Sequence, residues 1–447
     1  MKRLSLILLS VFLVVGLVTG CNHSAFQTDS SAHSENKSNK PLQFTTDALA
    51  NYTIVYSKDA PEYAQLANQL ADRILEKYDI FLTAVCDTST PPTDYEIILG
   101  DTNRSQQQGR IMEYSVTVDS GKFQIHAGGA FSAQEAVNFL CDNVFNGESF
   151  SLDNGQYYAT SFLANPQTMD DSSTARIMSA NILADVFLDD TYKSAHYRAE
   201  IFAGMLIYYT PDVLGLQEAD ENWNTALDTY LPKLETMYGI AYTKHLSTYE
   251  NKTNYTSLLY RSDKFQVLDD GIHVFSWWTD KTFSHNYHMR NISWAKFSPV
   301  SNPEQAFIVA NTHWSFRTEH ANGKTYLSGS GTAIQENELR LQCKEETNTF
   351  MSSLKAADPQ TPIFLTGDFN TSLPFFTDSG WTPADFHILS EEAKNSGTAL
   401  SLVPTSGHFD HIFGAGNYTI DIFKFFTDDY GHSLLTDHPF VYADLSF

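Results

Sequence analysis

Apolar positions along this chain change their spacing several times, and each change marks an element. Residues 52–57 read as a strand, and Leu66, Leu70, Ile74 and Tyr78 then recur every four residues, so they line one face of a helix. A further apolar strand occupies 95–99. Residues 114–118 and 122–126 alternate around Asp119, Ser120 and Gly121, the pattern of a hairpin, and a helix follows over 133–145. This mixture predicts a small α/β domain over residues 45–165. The chain then turns polar between Asn165 and Thr174, with Pro166 and the run Asp170, Asp171, Ser172 and Ser173, and the domain boundary falls there.

From Arg176 onward, strand-like stretches recur and each ends in polar residues of one kind. Residues 177–180 end at Asn181, and 212–216 end at Gln217 and Glu218. Residues 306–310 lead into Asn311, Thr312 and His313, while 363–365 lead to Gly367, Asp368, Phe369 and Asn370. The last strand signals bring Asp410-His411 and Thr436-Asp437-His438. Ligands of α/β proteins gather outside strand ends, so this placement predicts one shared pocket. Side chains two apart on a strand point the same way, so Asn311 with His313, and Asp368 with Asn370, each present a pair to one side. Asp437 and His438 are neighbours and need separate partners, one facing a metal and the other a water. Residues 265–278 alternate enough to predict a strand pair, with at least one of Trp277 and Trp278 in the core. His273, His285, His288, His320, His408, His411 and His432 read as ordinary polar residues.

Composition narrows the class. A length of 447 residues predicts two domains of unequal size, and 42% hydrophobic content fits a globular enzyme. Twenty-eight basic against 53 acidic residues give a net charge of -25, which argues against a broad basic surface for nucleic acid backbone. A local carboxylate cluster holding a divalent cation would still attract phosphate. Lys2 and Arg3 precede an apolar run over 4–18, and Leu17-Val18-Thr19-Gly20 leads into Cys21. This resembles a bacterial lipobox, which implies a signal peptide over 1–20, a lipidated Cys21, a polar tether over 21–44 and a bacterial cell-surface location. An ordinary cleaved signal peptide is the alternative; a spanning helix needs about 20 apolar residues, more than this run supplies. Among the remaining cysteines, Cys141 shares a helical face with Val137, Leu140 and Val144, and Cys343 with Leu339, Phe350 and Leu354, so both read as core. A Cys86–Cys141 bridge stays open.

Taken in order, Asn181, Leu216-Gln217-Glu218, Asn311-x-His313, Gly367-Asp368-Phe369-Asn370, Asp410 and Asp437-His438 make residues 174–447 resemble the endonuclease/exonuclease/phosphatase superfamily, the deoxyribonuclease I-like proteins. The resemblance implies an α/β four-layer sandwich of two packed mixed β-sheets flanked by helices, preceded here by the small α/β domain. It implies Mg²⁺, with Mn²⁺ or Ca²⁺ as substitutes, held chiefly by Glu218 with Asn181 and Asp437 near the same ion. His438 would be the general base that activates water, and Asp410 would fix its tautomer. Asp368 would position the nucleophile, Asn370 would donate to developing charge, and His313 would bond a phosphoryl oxygen as an imidazolium. Arg261 and Arg290 also echo the family's sequence, with surface ion pairing an equal account of them.

The implied substrate is a phosphate ester. The stretch over 367–374 looks like secreted nuclease-type relatives, which points to an extracellular nuclease acting on DNA or RNA by in-line attack of the His438-activated water. A sphingomyelinase-like phospholipase or a phosphomonoesterase is the alternative within the superfamily. A non-catalytic, surface glycan-binding lipoprotein is the alternative from another class: the stretch from Glu96 to Arg104 resembles the auxiliary N-terminal domain of some glycoside hydrolases. Membrane contact is expected through the lipid anchor only, and no protein partner is inferred.

Overall fold

The computed structural model describes residues 42–58, 60–105, 109–119, 121–152, 166–188, 193–246, 248–249, 252–253, 255–276, 289–315, 326–327, 333–334, 336–371, 386–400, 408–426 and 432–447. The predicted signal peptide, Cys21 and most of the tether lie outside these residues, as do Trp277 and Trp278. No described helix is long and apolar enough to cross a membrane.

Strand β1 (Leu42–Thr45) begins the N-terminal part, followed by β2 (Thr53–Tyr56), helix α1 (Pro61–Tyr78), β3 (Thr83–Cys86), β4 (Glu96–Leu99), β5 (Tyr114–Asp119) and β6 (Lys122–Ala127). Helix α2 (Ala130–Phe139) and strand β7 (Ser149–Leu152) close it. The sheet order is β3-β2-β4-β6-β5, parallel except for β5, and β1 pairs with β7 apart from it. Leu66, Leu70 and Ile74 of α1 bury against Ile54, Ile97, Phe123 and Ile125, as their spacing requires. Helix α2 starts earlier than its apolar spacing indicates and runs into a π turn at Leu140–Val144. Cys86 and Cys141 are both free thiols, so no bridge joins them.

The remaining chain builds a sandwich. In order come β8 (Ala175–Asn181), α3 (Ala195–Tyr209), β9 (Val213–Gln217), α4 (Glu221–Tyr238), β10 (Tyr242–His245), β11 (Leu258–Arg261), β12 (Phe265–Val274), β13 (Asn291–Pro299) and β14 (Phe307–His313). Then follow α5 (Glu336–Ala357), β15 (Ile363–Asp368), β16 (Phe386–Ile388), α6 (Leu389–Ser396), β17 (Asp410–Ala415), β18 (Thr419–Phe425) and β19 (Val441–Ser446). One sheet has the order β10-β11-β9-β8-β19-β18 and the other β12-β13-β14-β15-β17-β16. Each is antiparallel except for one central parallel pair, β8 with β9 and β14 with β15. The described residues of this stretch, 265–276, do not form the expected strand pair. Phe265–Val274 is a single strand with a bulge between Val267 and Asp269, and its partner is β13.

Period-two alternation sorts each central strand into two faces. Met178 and Ala180 pack on α3 and α4, while Ile308, Ala310, Ile363 and Leu365 pack with Cys343 and Met351 of α5. Between the sheets, Ile177 and Val213 meet Val309 and Phe364. The layers therefore run helices, sheet, sheet, helix, the four-layer sandwich that the resemblance implies.

The inter-sheet positions become polar toward one end. Along β8 they read Ile177, Ser179, Asn181; along β14, Val309, Asn311, His313; along β15, Phe364, Thr366, Asp368. In the middle of this gradient Gln217 Nε2 donates to Asn311 Oδ1 (2.6 Å) and Ser179 Oγ (3.2 Å), and Thr366 Oγ1 donates to Asn311 Oδ1 (3.2 Å). Gly215 is what lets the sheets approach here: a Cβ would lie 2.0 Å from Thr366 Oγ1 and 2.5 Å from Asn311 Oδ1.

The N-terminal part and the sandwich form one compact unit over Lys40–Phe447. Glu200 of α3 is buried at their junction. It accepts from Met112 N (2.9 Å), Ser132 N (3.0 Å) and Ser132 Oγ (2.7 Å), capping the first turn of α2. Lys233 of α4 donates to Gly128 O (2.9 Å), and Phe131 meets Tyr197 edge-on at 5.8 Å. Residues after β4 and β6 thus face α3 and α4.

Candidate active site

The two parallel strand pairs end at the same place. Asn181 terminates β8, Glu218 follows β9, His313 terminates β14 and Asp368 terminates β15. Asn181 Nδ2 joins them, donating to Glu218 Oε1 (3.2 Å) and Asp368 Oδ2 (3.0 Å), while its Oδ1 accepts from Leu183 N (3.1 Å). The second Glu218 oxygen accepts from Ala184 N (2.9 Å). Glu218 has a φ of 64° and Asn370 one of 51°, left-handed conformations that non-glycine residues hold only where the surroundings fix them.

Asp410 begins β17 directly opposite Asp368 in the ladder, and His438 lies just before β19, which pairs with β8. This register carries His438 over the strand ends. Its Nδ1 is 2.7 Å from Asp410 Oδ2, and its Nε2 is 3.9 Å from both Asp368 Oδ2 and Asp437 Oδ1. Nδ1–H therefore donates to Asp410, and Nε2 faces the carboxylates. Burial alone would lower the His438 pKa, but Asp410, Asp368 and Asp437 hold it well above the ordinary histidine value. Burial pushes Asp410 up, with the His438 charge opposing it. Asp368 is likewise pushed up by burial, yet His313 and His438 hold it well below the usual carboxylate range.

His313 Nε2 sits 3.3 Å from Asp368 Oδ2. Burial first and the Arg290 charge second lower its pKa, opposed by Asp368 and Glu218. Asn370 lies beside Asp368, its backbone N–H donating to Asp368 Oδ1 (2.8 Å), and its side chain donates to Trp314 O (2.9 Å). Arg290 is buried and faces His313, whereas Arg261 is buried at the far end of β9, paired with Asp263 (2.5 Å) against Tyr242. Arg261 belongs to the scaffold, and neither arginine is a surface pair. His411 is fully buried with its Nε2 at 3.3 Å from Thr371 O, and burial pushes its pKa down to about 4. Its neighbour in sequence, Asp410, signals that strand but not its inward face.

Four carboxylates, Glu218, Asp368, Asp410 and Asp437, converge here, and oxygen donors of this kind suit a hard divalent cation. Among the described residues no three His, Cys, Asp or Glu side chains are grouped as a complete metal cage. The set fits a cation of the Mg²⁺ type, which binds through one or two carboxylates and takes its other oxygens from water and substrate. Glu218 and Asp368, bracketing Asn181, are the side chains placed to hold it, with the half-exposed Asp437 at the rim.

Several solved structures are similar to part of this chain. An endonuclease/exonuclease/phosphatase from Bacteroides vulgatus is 20% identical over 61% of this chain and 98% of its own, with a TM-score of 0.45. A humanized TDP2 from D. rerio is 17% identical over 61% and 99%, with a TM-score of 0.45. A mannosyl-6-phosphatase from Bacteroides thetaiotaomicron is 18% identical over 61% and 100%, with a TM-score of 0.42. The likeness is one of fold. No family model and no curated protein sequence matches the chain.

Proposed function

We propose that the sandwich hydrolyses phosphate esters with the help of a divalent cation, and that its substrate is a phosphodiester, extracellular nucleic acid first among them. The observation that carries this reading is the Asp410–His438 pair at 2.7 Å, aimed at Asp368 and backed by Asn181, Glu218 and His313 at the ends of four strands from two sheets. A cation at Glu218 and Asp368 would neutralise charge on the phosphoryl oxygens and lower the field that keeps His438 protonated. His438 Nε2 is the proton acceptor for the attacking water, and Asp410 holds the ring with Nδ1–H turned away from it. Asp368 orients that water. His313, buried at the end of β14, offers an N–H to a non-bridging oxygen, and the positioning of these groups supplies most of the rate. The signal peptide expected over 1–20, followed by a lipidated Cys21, supports an anchored protein acting outside the membrane.

The test is a panel of plasmid DNA, RNA, sphingomyelin, inositol phosphates and a sugar phosphate, each with Mg²⁺, Mn²⁺ or Ca²⁺, and His438→Ala as control. Turnover of nucleic acid that disappears in the control is expected. Turnover of lipid or monoester but not nucleic acid replaces the substrate named here, and no turnover of any ester, with glycan retained instead, removes the hydrolase.

A further inference from the structure

The groups around the cation site hang from two backbone segments, 181–185 and 435–438, that belong to the ends of different strands. Their mutual position is set by a side chain far outside the motifs. Arg198, at the end of the first turn of α3, is fully buried. Its Nη1 donates to Ile182 O (2.7 Å) and Leu435 O (2.9 Å), its Nη2 to Leu183 O (2.8 Å) and the Asp185 carboxylate (2.8 Å), and its Nε to Lys193 O (2.7 Å). All five guanidinium N–H groups are thereby used.

Trp223 supports the same arrangement from α4. The guanidinium lies over its ring at 4.9 Å, and Nε1 donates to Leu183 O (2.8 Å). Leu183 itself is left-handed, with φ 56°, a conformation a branched apolar residue keeps only when its peptide is held on both sides. A second link is smaller. The Thr436 hydroxyl donates to Asn181 O (2.8 Å) and accepts from His438 N (3.2 Å), so it ties the residue that bridges the carboxylates to the histidine across from it.

We infer that Arg198 and Thr436 are positioning residues that lock the Asn181–Asp185 and Leu435–His438 segments in working register. The inference rests on the hydrolase reading above. Neither residue touches the reacting atoms. Arg198 acts on the cation site through the 182–185 backbone, whose Ala184 N–H orients Glu218; Thr436 acts on His438. An apolar side chain in place of Arg198 would fill the space with less desolvation, but it would release both segments.

The full chain is tested with Mn²⁺ alone, read by its electron paramagnetic resonance, and with bis(p-nitrophenyl) phosphate plus Mg²⁺, alongside thermal melting. Thr436→Val is expected to melt near the parent and to bind Mn²⁺ within about twofold, while kcat falls roughly tenfold to a hundredfold with KM little changed. Thr436→Ser, which keeps the hydroxyl, restores kcat. Arg198→Lys is expected to weaken Mn²⁺ binding by about tenfold or more. If that variant does not fold, Trp223→Phe, which removes one bond to Leu183 O and keeps a ring under the guanidinium, must weaken Mn²⁺ binding in its place. Parent kcat in Thr436→Val, no recovery in Thr436→Ser, or parent Mn²⁺ affinity in a folded Arg198→Lys or in Trp223→Phe overturns the inference. A parent chain that binds Mn²⁺ but cleaves no ester overturns the hydrolase reading instead, and the Mn²⁺ comparison still decides Arg198.

Discussion

His438 is raised by three carboxylates and can accept a proton only in its neutral form, which fixes a direction for pH dependence. Asp410→Asn removes the nearest of those charges, so the acid limb of kcat/KM is expected to move to lower pH, because the pKa of the free histidine falls. The same change leaves the ring free to adopt the wrong tautomer, and kcat is expected to drop by roughly 10²- to 10⁴-fold. A pH–rate profile that keeps its acid limb, with kcat preserved, would show that the pair does not act on the proton. Glu218→Gln removes a donor charge but keeps the shape; its expected signature is a Mg²⁺ requirement raised by about tenfold or more in a metal titration of activity. These residues were legible in the sequence because each ends an apolar run with a side chain that has no reason to be there in a core. Arg198 and Glu200 were not, since one charge among apolar helix residues carries no periodic signal. The electrostatics around these residues were also hidden: burial, and after it the Arg290 charge, lower the His313 pKa, and neither can be read from the sequence.

Secondary elements were legible where one face is wet. Helix α1 alternates apolar and polar positions in the helical period and was found, whereas α3 is buried almost all round, from Ala195 to Tyr209, and gives no such contrast. Residues 265–278 misled for a related reason: β12 is half-exposed and bulged, so its alternation breaks and mimics a turn between two strands. The close sheet-to-sheet contact at β9 has a testable cost. Gly215→Ala would push a methyl into Thr366 and Asn311, and the strain should destabilise the fold by about 1–3 kcal/mol in urea melts. Adding Thr366→Ala removes one of the two obstacles, so the double variant should be less destabilised than the sum of the singles. Strict additivity would place the strain elsewhere.

At the scale of the molecule, the N-terminal part is fastened by a buried carboxylate rather than by a broad apolar face alone. Glu200→Ala leaves Met112 N–H and both Ser132 donors without their acceptor, a loss of about 1–3 kcal/mol or more. The expected readout is a melting curve that divides in two; an unchanged single transition would mean that the other junction contacts suffice. Residues 110–112 and 128–132 of that part are taken up by contacts with α3 and α4. Sequence patterns distinguish the two parts but say nothing of this fastening, which depends on side chains that meet only after both have folded. The order of assembly follows from strand placement. Strand β19, the last in the chain, inserts between β8 and β18 and brings His438 with it. The Asp410–His438 pair proposed to take the proton therefore forms only when β19 has docked between its two neighbours, so it depends on a strand insertion as well as on local turns.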